Sequence, residues 1–364
     1  MSTVTKLSSD RFPRVTRAAI LVAQHQPLVV DEIELPEHLD IGQVLVELAY
    51  SGICGSQLGE IDGAKGPDKW LPHLLGHEAA GKVLAIGPGV RHVKPGEAVV
   101  AHWKPSLGIE ADVPQYRWRS STVNAGWVTT FNRHAVVSEN RLTPVSSDAN
   151  LMTAALFGCA ITTGFGLIDN QSDLRLGEDV VVFGAGGIGL NIIQAAYLAG
   201  ARRVVAVDLF DNRLTLASRC GASDVINAGT REPWTRLKEI FVERAPDVFI
   251  DNTGKPEVIA RGYDLVNSKG RVLLVGVPKK GADTTLYTLP MHFGKHVCGT
   301  HGGEAQPHHD IPRYMGLAAA RRVNFGDLIT QIKPLKSINE LIAGMRDGST
   351  AGRCMVDLAA GDSR

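Results

Sequence analysis

Three residues far apart in the chain have the chemistry to hold a borderline-soft metal ion: Cys54 in "SGICGSQLGE", His77 in "LLGHEAAG" and Cys159 in "FGCAITTG". Two thiolates and one imidazole leave one position of a tetrahedral zinc open, which is the arrangement of a catalytic rather than a structural ion. Taken singly, each has a plainer reading: a small buried thiol, a satisfied loop histidine, a helix cysteine. Glycines stand beside all three, and a backbone free of side chains can bring distant ligands together around one ion. No paired-cysteine motif is present, so spacing alone does not establish the site.

A second constellation is local. Gly184-Ala185-Gly186-Gly187-Ile188-Gly189 satisfies G-x-G-x-x-G. Among 39 glycines chance matches occur, so the context decides. The motif follows the strand "DVVVF", opens the helix "GLNIIQAAYLAG", and a further strand "RVVAVD" ends at Asp208. In that βαβ setting Gly184 allows the tight turn, Gly186 lets a pyrophosphate approach the backbone, and Gly189 lets helix and strand pack closely. Free N–H groups at the helix start, those of Gly187 and Ile188 included, face the phosphates. Asp208 accepts from an adenosine ribose diol and repels a 2′-phosphate, so NAD is expected over NADP; Arg213 is the nearby cation that tempers this preference.

The elements that must position these residues divide the chain. At 364 residues it exceeds one hydrophobic core, so two domains are expected. Up to about Leu151 short strands such as "RAAILV", "VLVELAYSGI", "AAGKVLAIG" and "EAVVAHW" alternate with Gly-Pro and Pro-Gly turns, a β-rich, barrel-like texture. "LMTAALFGCAITTGFGLI" has helical length and spacing, and then buried Val/Ile/Leu strands alternate with helices. That alternation predicts a parallel sheet covered on both faces. In the tail, "IPRYMGLAAARR" reads as a helix capped by Asp310 with Pro312 in its first turn. "SINELIAGMRDG" carries a capping box, Ser337 with Glu340, and "AGRCMVDLA" reads as a last strand that completes the first domain.

Composition bounds the partners. The chain is 44% apolar and 21% charged with zero formal net charge, and no block of like charge favours nucleic acid or an anionic membrane. Five scattered cysteines read as reduced thiols; Cys220, Cys298 and Cys354 are expected in the core or an interface. The N-terminus shows no cleavage-site pattern, and Val180 to Ala201 fits a strand, turn and helix better than a membrane span. A cytoplasmic protein is expected. His308 and His309 are adjacent and are read as a loop at a pocket rim rather than a second metal site.

Across nearly its whole length after about Thr16 the chain resembles the zinc-dependent alcohol dehydrogenases of the medium-chain dehydrogenase/reductase family. The matching stretches are "SGICGSQ", "LLGHEAAGKV", "GPGVRHVKPGE", "GCAITTG", "VVVFGAGGIGL", "VAVDLFDNRL", "VLLVGVP" and "AGRCMVDL". The resemblance implies an α/β chain with a β-rich GroES-like barrel domain (1–160 and 304–364) and a doubly wound Rossmann domain with a parallel sheet (161–303). It implies one catalytic zinc on Cys54, His77 and Cys159, with Glu78 as an outer or transient ligand. Ser56 would bond the reacting oxygen, Thr163, Val275, Gly276 and Val277 would line the nicotinamide, and Arg353 would reach the pyrophosphate. The implied reaction is hydride transfer between NAD and a primary or secondary alcohol, polyols and sugar-derived alcohols included. The resemblance also implies a homodimer or homotetramer, with "HVCGT" a candidate for pairing between copies.

Three departures stand out. No cysteine occurs between Gly55 and Gly158, so the four-cysteine structural zinc site of many relatives is missing. Its place is taken by a stretch holding Trp103, Trp118 and Trp127, which either packs that lobe or closes over substrate. Gly59 stands where many relatives carry the histidine that completes a proton relay, Gly55 where some carry a basic residue, and Gln57 where a carboxylate behind the metal is common. Trp103 and His301 are candidate substrate contacts. Two other classes share parts of this pattern: a zinc-free reductase of the same fold, which would not need all three ligands, and a catalytically silent NAD binder.

Overall fold

A computed structural model of the chain describes residues 4–8, 12–320 and 322–360. The chain forms two compact units, one of residues 1–159 with 306–364 and the other of residues 160–305.

The first unit holds two β layers where its sequence reads as one barrel-like run of strands. Strands Val15–Leu21, Val29–Glu34, His73–Leu74, Gln115–Trp118 and Ser121–Asn124 close a small barrel. It is filled by Ile20, Ile33, Leu45, Leu74, Tyr116 and Val136. A seven-stranded sheet is centred on Gln43–Ile53, which pairs with Glu78–Ile86, His134–Ser138 and Arg353–Asp357. Gln43–Ile53 carries apolar residues on both faces because each face is covered, and this strand delivers Cys54 at its end. Antiparallel pairing of Arg353–Asp357 with residues 50–53 closes the unit with its C-terminal segment.

The second unit is a six-stranded parallel sheet in the order Asp224–Asn227, Arg203–Asp208, Asp179–Phe183, Val248–Asp251, Arg271–Leu274, His296–Gly299. Numbered in chain order this is 3-2-1-4-5-6, the doubly wound arrangement in which ligands sit where the strand order reverses, beyond the carboxyl ends of the first and fourth strands. Gly184 and Asn252 follow those two strands, and the Asn252 side-chain amide donates to the Gly184 carbonyl at 3.2 Å. Trp234, Phe183 and Phe249 stack in the core below, with centroids 5.2 to 6.1 Å apart.

Some local expectations change. The helix expected from Ile311, capped by Asp310, runs Pro307–Ala319 with Gln306 as its N-cap and Pro307 in its first turn. Asp310 instead reaches back to accept the Gln306 N–H at 2.7 Å, so its carboxylate stabilises the helix start from inside. Pro312 lies within the helix rather than at its head. Arg321, placed in that helix from its sequence, lies outside the described residues. Ser337 precedes the helix Ile338–Arg346 without a side-chain cap bond, and Glu340 pairs with Lys333 at 2.7 Å. The cap geometry is missing, although Glu340 keeps a side-chain hydrogen bond with Ser337 beside its ion pair with Lys333.

The long helical stretch is also broken. Leu151–Ala155 is α-helical and Leu156–Gly158 a 3-10 turn; Cys159 leaves helical geometry (φ −151°, ψ −67°) before Ala160–Gly166 resumes. Among the described residues no single helix is long and apolar enough to cross a membrane; the pair Leu151–Gly158 and Ala160–Gln171 passes by length and composition only.

Candidate metal centre and nucleotide turn

Cys54, His77 and Cys159 come together: one ligand atom from each lies within 4.8 Å of the others. No other group of three such side chains does so among the described residues, His308 and His309 included. Zinc with bonds of about 2.3 Å to sulfur and 2.0 Å to nitrogen separates its ligand atoms by about 4 Å. Ligand atoms within 4.8 Å of one another are compatible with that ion.

Close backbone approaches build the trio. Gly76 has φ +91°, and a Cβ there would press on the Thr130 hydroxyl and the Phe131 backbone, so only glycine brings His77 to its place. A Cβ on Gly158 would run into the carbonyl of Ala101 and the Cα of Glu78, so glycine lets the chain carrying Cys159 lie against that sheet. Gly55, beside Cys54, has open space and an ordinary backbone. The glycine that matters there is Gly52, whose missing Cβ makes room for the Glu78 carboxylate. Ser51 adds a tether, donating to the Glu78 carbonyl at 3.1 Å and bonding Thr130 Oγ1 at 2.8 Å. Ser51 and Thr130 were not legible in the sequence: Ser51 offers only a hydroxyl beside Gly52 near a strand end, and Thr130 offers no local signal.

The Cys54 thiol is held well below its usual range, first by a hydrogen bond with Cys159, then by one with His77 and by the charge of Arg353, with burial opposing. A thiol so biased is ready to serve as a thiolate ligand. Cys354 and Cys298 are pushed up by burial instead, as expected of packing thiols. Gln57 lies beneath the site: its Oε1 accepts the Cys54 N–H at 2.9 Å and its Nε2 meets His77 Nδ1.

Glu78 is fully buried but stands outside the trio, ion-paired with the buried Arg353 guanidinium. In this structure the carboxylate expected as a transient ligand and the cation expected at a pyrophosphate face each other as an ion pair. Ser56 is exposed in the first turn of the helix Gly55–Ile61. Trp103 is half-buried, and its backbone N–H donates to the Gly158 carbonyl next to Cys159 at 3.4 Å. Trp118 donates to Asp31 at 2.8 Å and the Arg141 guanidinium lies 5.3 Å from the Trp127 ring centroid, so both serve to anchor the cysteine-free stretch. A buried carboxylate does the rest there: Glu139 accepts the N–H groups of Arg91, His92 and Ile109 at 2.5 to 2.8 Å.

In the second unit the glycine turn has the geometry a dinucleotide needs. Gly184 sits at φ +101°, Gly186 has nothing near a would-be Cβ, and a Cβ on Gly189 would strike the Gly184 carbonyl. The helix Gly187–Leu198 starts there with Gly186 as N-cap and no side chain covering its first N–H groups, Gly187 and Ile188 among them. Asp208 already has partners: Oδ2 accepts the Ala185 N–H at 2.8 Å, Oδ1 accepts those of Leu209 and Phe210, and Arg213 lies 3.7 Å away. Val275 and Gly276 donate to the Asp251 carbonyl, Val277 is exposed, and Thr163 is buried in its helix. His301 also belongs to this unit, its N–H donating to Glu304 at 3.1 Å.

Residues 40–147 match the family described as the alcohol dehydrogenase GroES-like domain, and residues 187–320 the family described as zinc-binding dehydrogenase. The chain is 30% identical over 361 residues to an NDMA-dependent alcohol dehydrogenase of Amycolatopsis methanolica, covering 92% of this chain and 96% of that protein. It is 30% identical over 360 residues to an S-(hydroxymethyl)glutathione dehydrogenase of Paracoccus denitrificans, covering 89% and 95%. Among solved structures, benzyl alcohol dehydrogenase from Acinetobacter calcoaceticus superposes with a TM-score of 0.84 at 26% identity, over 95% of this chain and 99% of that one.

Proposed function

Because the chain belongs to the zinc-type alcohol dehydrogenases of the medium-chain dehydrogenase/reductase family, we propose that it transfers hydride between an alcohol and NAD at one zinc held by Cys54, His77 and Cys159. The observation that carries this reading is the convergence of two thiols and one imidazole with no fourth side chain among them. When bound, zinc acidifies the hydroxyl of an alcohol and NAD takes up hydride. The chain's own residues do the rest. Ser56 Oγ accepts the alcohol proton as its own hydroxyl proton leaves to solvent, because Gly59 has no side chain to receive it and Ser56 is exposed. Gly184, Gly186 and the helix start at Gly187 to Gly189 cradle the pyrophosphate. Asp208, already steered by Arg213, takes the ribose diol, and its charge disfavours a 2′-phosphate. Thr163 and the Val275–Val277 edge orient the nicotinamide.

With its backbone bonded beside Cys159, Trp103 is the side chain we assign to the substrate's wall, which would favour an alcohol with an apolar or aromatic group over a polyol. A cytoplasmic setting and a dimer or tetramer accord with five free cysteines and with His296–Gly299 at the edge of its sheet. The test is elemental analysis of zinc per chain beside NADH formation from benzyl alcohol, a simple primary alcohol and a polyol. We expect one zinc per chain, with zinc and alcohol-linked turnover lost together in Cys159→Ala. Full NAD binding with no zinc would overturn the reading in favour of a zinc-free reductase or a silent binder.

A further inference from the structure

The amide of Gln57 has its orientation forced by its neighbours. Its first partner is the Cys54 backbone N–H, at 2.9 Å, which can only donate; the amide oxygen must therefore face it. The amide NH2 is left to face His77 Nδ1, and an amide nitrogen has only protons to offer. Nδ1 must accept, and a neutral imidazole that accepts at Nδ1 carries its proton on Nε2. With Nδ1 engaged by Gln57, Nε2 is the ring nitrogen left for a metal, and a protonated nitrogen has no lone pair to give. Metal-ligating histidines ordinarily donate their other N–H to a carboxylate, a carbonyl or water, which keeps the ligating nitrogen bare. Here that acceptor is turned away. Gln57 is 1% exposed and His77 half-buried, so the amide itself cannot exchange its two partners for water.

We propose that Gln57 is a positioning residue that holds metal-free His77 in the non-ligating Nε2–H tautomer and thereby weakens the hold of this site on its metal. The inference rests on the zinc reading above. Loading moves the ring proton to Nδ1 and requires the Gln57 amide to reverse, presenting Oε1 to Nδ1–H. The reversed amide then sets its NH2 against the Cys54 N–H, donor against donor. Either orientation leaves one partner of the pair unmatched in the loaded protein. A carboxylate at position 57 removes the conflict, since its two oxygens accept from Cys54 and from His77 together.

The test uses the full chain labelled with 15N-histidine, with the His77 signal assigned by its loss in His77→Gln. In metal-free wild type, long-range proton–nitrogen spectra are expected to show the Nε2–H tautomer at His77, changing to Nδ1–H on saturation with zinc. Chelator competition is expected to show Gln57→Glu holding zinc about 10- to 100-fold more tightly than wild type. An Nδ1–H tautomer in metal-free wild type overturns the proposal, as does a folded Gln57→Glu with equal or weaker zinc affinity. Absence of zinc binding in wild type would instead sink the zinc reading, while the tautomer of the metal-free protein still decides the role of Gln57. Those spectra need no variant at position 57, so a misfolded Gln57→Glu leaves the proposal testable.

Discussion

Removing the guanidinium at position 353 should be among the most damaging single changes outside the ligands themselves. Glu78 and Arg353 are ion-paired with side chains 0% and 3% exposed. In Arg353→Met the carboxylate stays behind in a dry site, and stranding a buried charge in this way costs about 3–5 kcal/mol. The backbone around it does not yield easily: Gly52 and Gly158 already lie as close to Glu78 as glycine permits. With a urea dependence of about 2 kcal/mol per molar, the unfolding midpoint should fall by roughly 2 M. The double variant Glu78→Leu/Arg353→Met removes both charges and should recover most of that loss, because a buried pair replaced by apolar groups is often neutral. The assay is equilibrium urea unfolding of wild type, both single variants and the double variant, read as a double-mutant cycle. A loss below about 1 kcal/mol in Arg353→Met, or a double variant no better than the single, would refute the argument that the pair is buried and mutually dependent. The chemistry should respond too: the charge of Arg353 helps depress the Cys54 thiol, so metal-free Arg353→Met should react more slowly at Cys54 with an alkylating reagent.

Two further outcomes follow from the same unit. Burial pushes His102 down to about 4, with the Lys104 carbonyl opposing and the charge of Arg141 adding. The folded protein refuses a proton that the unfolded chain accepts near 6.5, so this stability is complete above pH 6.5 and is lost as pH falls toward 4, by about 3 kcal/mol. Urea midpoints measured between pH 7 and 4 should therefore decline less in His102→Gln than in wild type, and parallel declines would count against it. At Gly59 a Cβ would meet only the Ala64 methyl at 3.7 Å, an ordinary contact within the helix Gly55–Ile61. Gly59→Ala should stabilise the protein by about 0.5–1 kcal/mol, visible as a higher midpoint; a lower one would mean the position is strained.

The legible parts of this protein are those written in consecutive residues. The glycine turn, its strand and its helix lie within one βαβ stretch, so period and punctuation suffice to place Gly184 to Gly189 and Asp208. Strands such as Gln43–Ile53 and Glu78–Ile86 show through as buried apolar runs. The start of the Pro307–Ala319 helix was less legible, because Pro307 and Asp310 both suit a helix head and only backbone geometry decides between them.

The sequence by itself determined the residue types: two cysteines and a histidine fit for a metal, a phosphate-binding turn, and two alternating textures that demand two folding units. Tertiary structure alone decided what each site residue faces. Glu78 meets Arg353 because Arg353–Asp357 pairs with the strand ending at Ile53. Gly52, not Gly55, is the glycine that spacing requires beside Cys54. The amide of Gln57 points its nitrogen at His77 because a backbone donor has already claimed its oxygen. Such outcomes depend on strand register and on the direction of hydrogen bonds between segments distant in the chain, and no local pattern of residues encodes either.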